Sequence, residues 1–173
     1  MDTDRLTWKV SIVGPTGSGK SSLISRIVYD SDNPASTQKM ILRKRLSVPF
    51  NGSSKNVDFL FQELEETKNA EKFLMGSTAI LVTADITSND SIKYSEDILK
   101  FIDRFERKPL VALLGTKMDL RYEAVIWRDE LNSLARKYGA LSFLVTAKNS
   151  NEVPKVLEQI STRLMEKFAS KRK

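Results

Sequence analysis

Two residue types are missing from this sequence altogether: it has no cysteine and no histidine. The first absence excludes disulfides, thiol catalysis, thiolate metal sites and prenyl or palmitoyl anchors on these residues. The second means that any proton transfer must use carboxylates, lysine, tyrosine, substrate oxygens or water. Because no apolar run is long enough to cross a bilayer and no glycine follows Met1, we expect a cytoplasmic protein without a lipid anchor.

Composition and charge are those of a globular domain rather than of a nucleic-acid-binding protein. With 173 residues, 40% of them hydrophobic and 29% charged, the sequence predicts one domain over 1–173, with its core at about 6–168 and a short basic tail at 169–173. The net charge is +6, but the basic clusters carry no interleaved aromatic residues and no nucleic-acid motif. We therefore expect no nucleic-acid partner and at most a weak electrostatic contact with an anionic membrane surface.

Glycine is also scarce, and three of the seven glycines fall within one stretch, Gly14-Pro15-Thr16-Gly17-Ser18-Gly19-Lys20-Ser21. This stretch matches the phosphate-binding loop G-x-x-x-x-G-K-[ST]. It also has the required context, with a β-branched run at 8–13 before it and helical apolar spacing at 22–29 after it. Backbone N–H groups and the helix dipole favour an anion there; Lys20 adds a positive charge, and the Ser21 hydroxyl is placed to coordinate Mg²⁺. The predicted phosphate-binding residues are Gly14, Pro15, Thr16, Gly17, Ser18, Gly19, Lys20, Ser21 and Ser22.

Strand and helix patterns alternate along the rest of the chain. A half-exposed strand at 42–50, which contains Pro49, is followed by the turn Asn51-Gly52 and a returning strand at 57–61. Fully apolar runs then predict buried strands, each followed or preceded by a helical pattern; they lie at 79–84, 110–114 and 141–145. The sequence therefore predicts an α/β fold with a mostly parallel six-stranded sheet, one antiparallel edge strand and helices on both faces.

Two strand ends carry further polar motifs, Thr116-Lys117-Met118-Asp119 and Thr146-Ala147-Lys148. With these motifs and the phosphate loop, the chain resembles a small GTPase of the Ras/Rab/Rho superfamily, a single P-loop G domain. Thr116-Lys117-Met118-Asp119 matches the family's [NT]-K-x-D box, and Thr146-Ala147-Lys148 is similar to its S-A-K box. Both boxes and the phosphate loop occur in the family's order, and the resemblance covers almost the whole chain. Ligands of open parallel sheets bind at the carboxyl ends of the strands, where all three motifs are expected to lie.

The resemblance implies GTP or GDP as the ligand, with Mg²⁺ as cofactor. Guanine presents a ring N–H beside an exocyclic amine, and the carboxylate of Asp119 would accept both, whereas adenine would leave it unpaired. By resemblance, Lys117 lies along the base and ribose, the Ala147 N–H meets the guanine carbonyl, and Lys148 flanks the base. The guanine-binding residues implied in this way are Thr116, Lys117, Asp119, Thr146, Ala147 and Lys148.

The sequence departs from the family's D-x-x-G signature, usually D-T-A-G-Q, after the third strand. Counting from the strand end, Glu63 falls at the Asp position, Glu66 at the Gly and Thr67 at the Gln, with a one-residue shift as the alternative. Glu66 brings a carboxylate near the phosphates, and Thr67 is too short to orient the attacking water. The resemblance thus implies slow GTP hydrolysis, with Lys20, Glu66 and Thr67 as catalytic candidates. The metal ligands it implies are Ser21, Glu63 and Thr37, with Ser36 as the alternative to Thr37.

Three functional hypotheses follow, and they differ in turnover and in nucleotide. The first is a GTP/GDP switch whose loops at 30–40 and 62–75 are ordered by the γ-phosphate and Mg²⁺, acting on protein effectors or regulators. The alternative is a GTP-binding pseudo-GTPase scaffold with little or no turnover, which acts through protein interaction. A P-loop kinase that uses ATP would keep the phosphate loop but leave both guanine boxes unexplained.

Overall fold

A central sheet with helices on both faces is built from six strands. The computed structural model of the protein describes residues 5–30, 41–64, 70–148 and 151–171, except for the side chains of Ala70 and Phe73. The strands are β1 Leu6–Val13, β2 Ile41–Phe50, β3 Ser53–Leu64, β4 Ala79–Asp85, β5 Leu110–Thr116 and β6 Leu141–Leu144. The helices are α1 Lys20–Tyr29, α2 Ala70–Met75, α3 Asn89–Ile102, α4 Arg128–Lys137 and α5 Glu152–Lys171, with a 3₁₀ segment at Met118–Glu123.

The strand order is β2-β3-β1-β4-β5-β6, and only the pairing of β2 with β3 is antiparallel among the described strands. The predicted α/β fold with one antiparallel edge strand is therefore confirmed. Asn51 and Gly52 both have positive φ, 47° and 79°, which is the geometry of a tight hairpin turn. Pro49 lies on the edge strand, where its missing N–H costs no ladder bond to a further strand.

The returning strand is longer than its apolar pattern predicts. The sequence predicts a strand over 57–61, but β3 continues to Leu64 because Gln62, Glu63 and Leu64 pair with Ser11, Ile12 and Val13 of β1. Cross-strand hydrogen bonds to a buried neighbour outweigh the local polarity of these residues. As a result Glu63 is held on the sheet, at the carboxyl edge.

Two apolar cores lie on opposite faces of the sheet. One core packs α1 and α5 against strand residues that include Ile12 and Phe59. The other packs α2, α3 and α4 against residues that include Val82 and Leu113. Helices thus cover both faces, as predicted, and the carboxyl ends of the parallel strands remain open at one edge. None of the described helices is long and apolar enough to cross a membrane.

Candidate functional site

The phosphate loop joins β1 to α1 in a shape that requires its three glycines. Gly17 and Gly19 have φ of 82° and 93°, in the left-handed region, and Gly19 is the N-cap of α1. Gly14 is needed for a different reason, because a Cβ there would lie 2.0 Å from Thr83 Oγ1 and 2.8 Å from the Thr83 carbonyl oxygen. The backbone can therefore turn tightly and pass close to β4 at the same time.

The loop is anchored to β4 and β5 by buried hydroxyl groups. Ser18 Oγ shares a hydrogen bond with Thr83 Oγ1 at 2.7 Å, and Thr116 Oγ1 donates to the Ser18 carbonyl oxygen at 2.7 Å. The Ser18 N–H in turn bonds to the Pro15 carbonyl oxygen. Ser18 and Thr116 are thus placed to hold the loop in shape, a contribution that the motif patterns did not reveal.

Lys20 opens α1 and bends back over the loop. Its ammonium group is buried and donates to the carbonyl oxygens of Gly14 and of Pro15, the latter at 3.2 Å. The positive charge therefore sits at the centre of the loop, among the N–H groups of the helix N-terminus. A cavity of 290 Å³ opens beside it, lined by Thr16, Gly17, Gly19, Lys20, Ser21, Ser22, Glu63 and Lys117.

Ser21 and Glu63, predicted as metal ligands, lie side by side at this cavity. The Ser21 hydroxyl is 3.0 Å from Glu63 Oε1 and 2.8 Å from Oε2, although the two residues are 42 positions apart. An all-oxygen pair of this kind suits Mg²⁺, which binds proteins through one or two side chains together with phosphate and water. Within the described ranges no group of three or more acidic residues forms a metal site.

Asp119 occupies the other end of the site. Thr146 Oγ1 donates to Asp119 Oδ1 at 2.8 Å, and Lys148 Nζ lies 3.2 Å from Asp119 Oδ2. Burial alone would raise the pKa of Asp119, but the hydrogen bonds from Thr146 and Lys148 outweigh it and hold the pKa below the ordinary aspartate value. The carboxylate is therefore ionised at neutral pH and able to accept two N–H donors from a ligand.

The segments 116–119 and 146–148 and the start of α1 line a cavity of 260 Å³. Its lining consists of Gly19, Ser22, Leu23, Thr116, Lys117, Asp119, Leu120, Val145, Thr146, Ala147 and Lys148. Gly19, Ser22 and Lys117 line this cavity and the phosphate cavity alike. The two cavities therefore abut, and one elongated ligand can fill both.

Lys117 stands between the two cavities and is oriented by a residue that the sequence motifs did not indicate. Its Nζ lies 2.8 Å from Asp85 Oδ2, at the last position of β4. Thr87 donates to Asp85 Oδ1 from both its N–H and its hydroxyl, at 2.9 and 2.6 Å. Burial opposes ionisation of Asp85, yet the bonds from Lys117 and Thr87 lower its pKa. In the sequence, the position of Asp85 directly after the apolar run at 79–84 was the signal that could have indicated this residue.

A larger cavity of 470 Å³ lies between α1, β2 and α5, away from the strand ends. Its described lining mixes aliphatic with charged and hydroxyl side chains and contains none of the predicted phosphate-binding or guanine-binding residues. Volume alone therefore does not identify the functional site; the convergence of the residues of three sequence motifs does.

The family model for the Ras family matches residues 9–166 of this chain. The chain belongs to the Ras family. The chain is 26% identical over 177 aligned residues to Ras-related protein rapC of Dictyostelium discoideum. This match covers 93% of this chain and 61% of rapC. It is 29% identical over 158 residues to Ras-related protein Rab-1D of the same organism, covering 84% of this chain and 74% of that protein. The chain thus spans about three fifths of the length of rapC and three quarters of that of Rab-1D.

Membership of the Ras family places the chain among small GTPases, which in general bind GTP and GDP with Mg²⁺. It does not bear on the residues that depart from the family pattern. Thr37 with its alternative Ser36, and the catalytic candidates Glu66 and Thr67, lie outside the described residues. For this Ras-family chain the structure thus brings together the phosphate loop, Glu63 and both guanine boxes.

Proposed function

We propose that this chain is a guanine-nucleotide-binding protein, a single domain over 1–173 that binds GTP and GDP with Mg²⁺ and hydrolyses GTP slowly. The observation that carries the proposal is the pair of abutting cavities, one at the phosphate loop and one at Asp119. Lys117, which lines both, is held between them by Asp85. A nucleoside diphosphate or triphosphate has the matching shape, with an anionic end and a hydrogen-bonding base.

The residues of the phosphate loop would bind phosphate through different groups. The N-terminus of α1 directs N–H groups and a partial positive charge at the phosphate cavity, and the buried ammonium of Lys20 adds a full charge beside them. Gly14, Pro15, Thr16, Gly17 and Ser22 complete the cradle in this proposal. Because the charge and the N–H groups are already in place, little reorganisation is needed when an anion enters.

Base selection rests on Asp119 in this proposal. Thr146 and Lys148 hold its carboxylate ionised at the wall of the base cavity, where guanine offers two neighbouring N–H donors. Adenine offers no such pair, so it would bind without two hydrogen bonds to an ionised carboxylate, each worth more than an ordinary hydrogen bond. The Ala147 N–H would add a donor to the guanine carbonyl.

Ser21 and Glu63 would hold Mg²⁺, with Thr37 as a further proposed ligand. The cation supplies neutralisation of phosphate charge when it is bound. Glu63 is one methylene longer than the aspartate of the family pattern, and its carboxylate reaches the Ser21 hydroxyl with both oxygens. The pair therefore presents its oxygens close together at the phosphate cavity.

A first prediction tests nucleotide choice directly. We expect the purified protein to bind GTP and GDP at least about a thousandfold more tightly than ATP, because a site built around a carboxylate acceptor strongly rejects a base without the matching donors. Equilibrium competition against a fluorescent GDP, with Mg²⁺ present, measures all three affinities. Equal affinities for ATP and GTP would contradict the proposed function.

A second prediction concerns turnover. Because Glu66 and Thr67 replace the glycine and glutamine of the family pattern, we expect intrinsic GTP hydrolysis at least about tenfold slower than in Ras-family members with D-T-A-G-Q. Thr67→Gln is expected to raise the single-turnover rate, since a longer amide side chain can orient the attacking water. Single-turnover release of phosphate from bound GTP measures both rates.

The same assay separates the switch from the scaffold. A wild-type rate equal to that of relatives with D-T-A-G-Q would show that the second-switch residues were misassigned. Absence of any phosphate release over hours, with GTP still bound, would favour the pseudo-GTPase scaffold that the unusual 62–67 segment also suggests. In either case we propose protein effectors or regulators as the partners, in keeping with Ras-family membership.

A further inference from the structure

A buried arginine links the first helix to the base cavity. Arg26 lies in the last turn of α1, and its side chain is only 8% exposed. Its Nε donates to the carbonyl oxygen of Ala147 at 2.6 Å, across 121 residues of sequence. Its Nη1 donates to the Asp30 carbonyl oxygen at 3.0 Å and to Asp30 Oδ1 at 3.1 Å. Burying a guanidinium is costly unless its donors find partners, and these bonds use three of its five N–H groups.

The bond to Ala147 acts on the base loop, which is the segment 146–148 that lines the 260 Å³ base cavity. The peptide between Ala147 and Lys148 is held at both ends, because Arg26 binds its carbonyl oxygen and Thr146 Oγ1 accepts its N–H at 3.2 Å. The same Thr146 Oγ1 donates to Asp119 Oδ1. A continuous chain of hydrogen bonds therefore runs from Arg26 through the base loop to the carboxylate that is proposed to select guanine.

Helix α1 joins the two ends of the site through this contact. Lys20 and Ser21 at its N-terminus line the phosphate cavity, and Arg26 follows less than two turns later, at about 9 Å along the helix axis. Arg26 itself lines neither the phosphate cavity nor the base cavity. Its influence on a nucleotide must therefore pass through Ala147.

We infer that Arg26 is a positioning residue for base recognition, which sets the place of the base loop relative to the phosphate-binding end of α1. The inference rests on the proposed guanine-nucleotide function and adds to it a residue outside all three motifs. Losing Arg26 weakens contacts to the base and leaves contacts to the phosphates intact. ADP, which has the phosphates, ribose and purine ring of GDP but not the N–H pair that Asp119 is proposed to accept, is therefore the probe that separates the two.

The test compares Arg26→Met, Arg26→Lys and the control Arg163→Met, which removes an exposed arginine of α5. Arg26→Met keeps the apolar stem but has no donor, so GDP affinity is expected to fall about 10- to 100-fold, the effect of a lost charged hydrogen bond. Its ADP affinity is expected to stay within about twofold of wild type. Arg26→Lys retains one donor for Ala147 and is expected to lie between the two, and Arg163→Met is expected to match wild type.

Displacement of a fluorescent GDP by GDP and by ADP gives both affinities for each variant, and thermal unfolding of each confirms the fold. An equal loss of GDP and ADP affinity in Arg26→Met would show that Arg26 serves only to stabilise α1, and an unchanged GDP affinity would remove any role; either overturns the inference. Should Arg26→Met not fold, the ratio of the two affinities in Arg26→Lys decides by the same criteria. A wild-type protein that binds ADP as tightly as GDP would contradict the proposed function itself, and the inference with it.

Discussion

Replacing Asp119 with asparagine is expected to lower the affinity for GDP about a thousandfold or more. The substitution keeps the shape of the side chain but turns one acceptor oxygen into an N–H donor, which then faces the donors of guanine. Two charged hydrogen bonds to guanine are lost, and the new amide donor faces N–H donors of the base. Sites of this kind discriminate between matching and mismatched bases by several orders of magnitude. Thr146 and Lys148, which now hold the carboxylate, also lose an ionic partner.

The same substitution is expected to change specificity rather than to abolish binding. Xanthine carries a carbonyl group where guanine has its amine, so an asparagine N–H has an acceptor there. We expect Asp119→Asn to bind XDP more tightly than GDP, as measured by competition at pH 7, where the lowered pKa keeps the wild-type carboxylate ionised. Asp103→Asn, at an aspartate paired with Lys108 outside the site, is the matched control. Retention of wild-type GDP affinity in Asp119→Asn would mean that the base binds elsewhere.

Replacing Gly14 with alanine is expected to lower the free energy of unfolding by roughly 1–3 kcal/mol or more, as for an overpacked core position. The new Cβ would lie 2.0 Å from Thr83 Oγ1 and 2.8 Å from the Thr83 carbonyl oxygen, well inside contact distance. Rotation of the Thr83 side chain would relieve only the first clash and would break its bond to Ser18. The backbone of β1 must then move away from β4, which also displaces the phosphate loop.

Gly139→Ala provides a control that introduces strain without a clash. Gly139 has φ of 68° and would place a Cβ with no atom within 4 Å, so only the cost of the left-handed conformation applies, about 1 kcal/mol. Urea unfolding of nucleotide-free protein, with and without Thr83→Ala, measures the difference. Thr83→Ala in the Gly14→Ala background is expected to recover part of the loss. A Gly14→Ala protein no less stable than Gly139→Ala would show that the close approach of β1 to β4 is not needed.

Local patterns determined the architecture and the motif positions. The alternation at 42–50, the Asn51-Gly52 turn and the apolar runs of the central strands are each set by neighbours in sequence, so period and turn chemistry indicate them without tertiary information. The phosphate loop is equally local, because its glycines, lysine and helix N-terminus are contiguous. The parallel orientation of most strands followed as well, since it needs only alternating strands and helices. These features, and membership of the Ras family, could be recognised from the residues alone.

The working arrangement of the site was decided only by the tertiary structure. Cross-strand pairing extends β3 three residues beyond its apolar pattern and places the Glu63 carboxylate within hydrogen-bond distance of the Ser21 hydroxyl. Packing against β4 and β5 turned Ser18 and Thr116 into buried anchors of the loop. The partners of Lys117 and Ala147, which are Asp85 and Arg26, lie in other elements of the chain. Such hydrogen bonds join residues tens of positions apart, and since they impose no period on the sequence between them, only the folded chain reveals them.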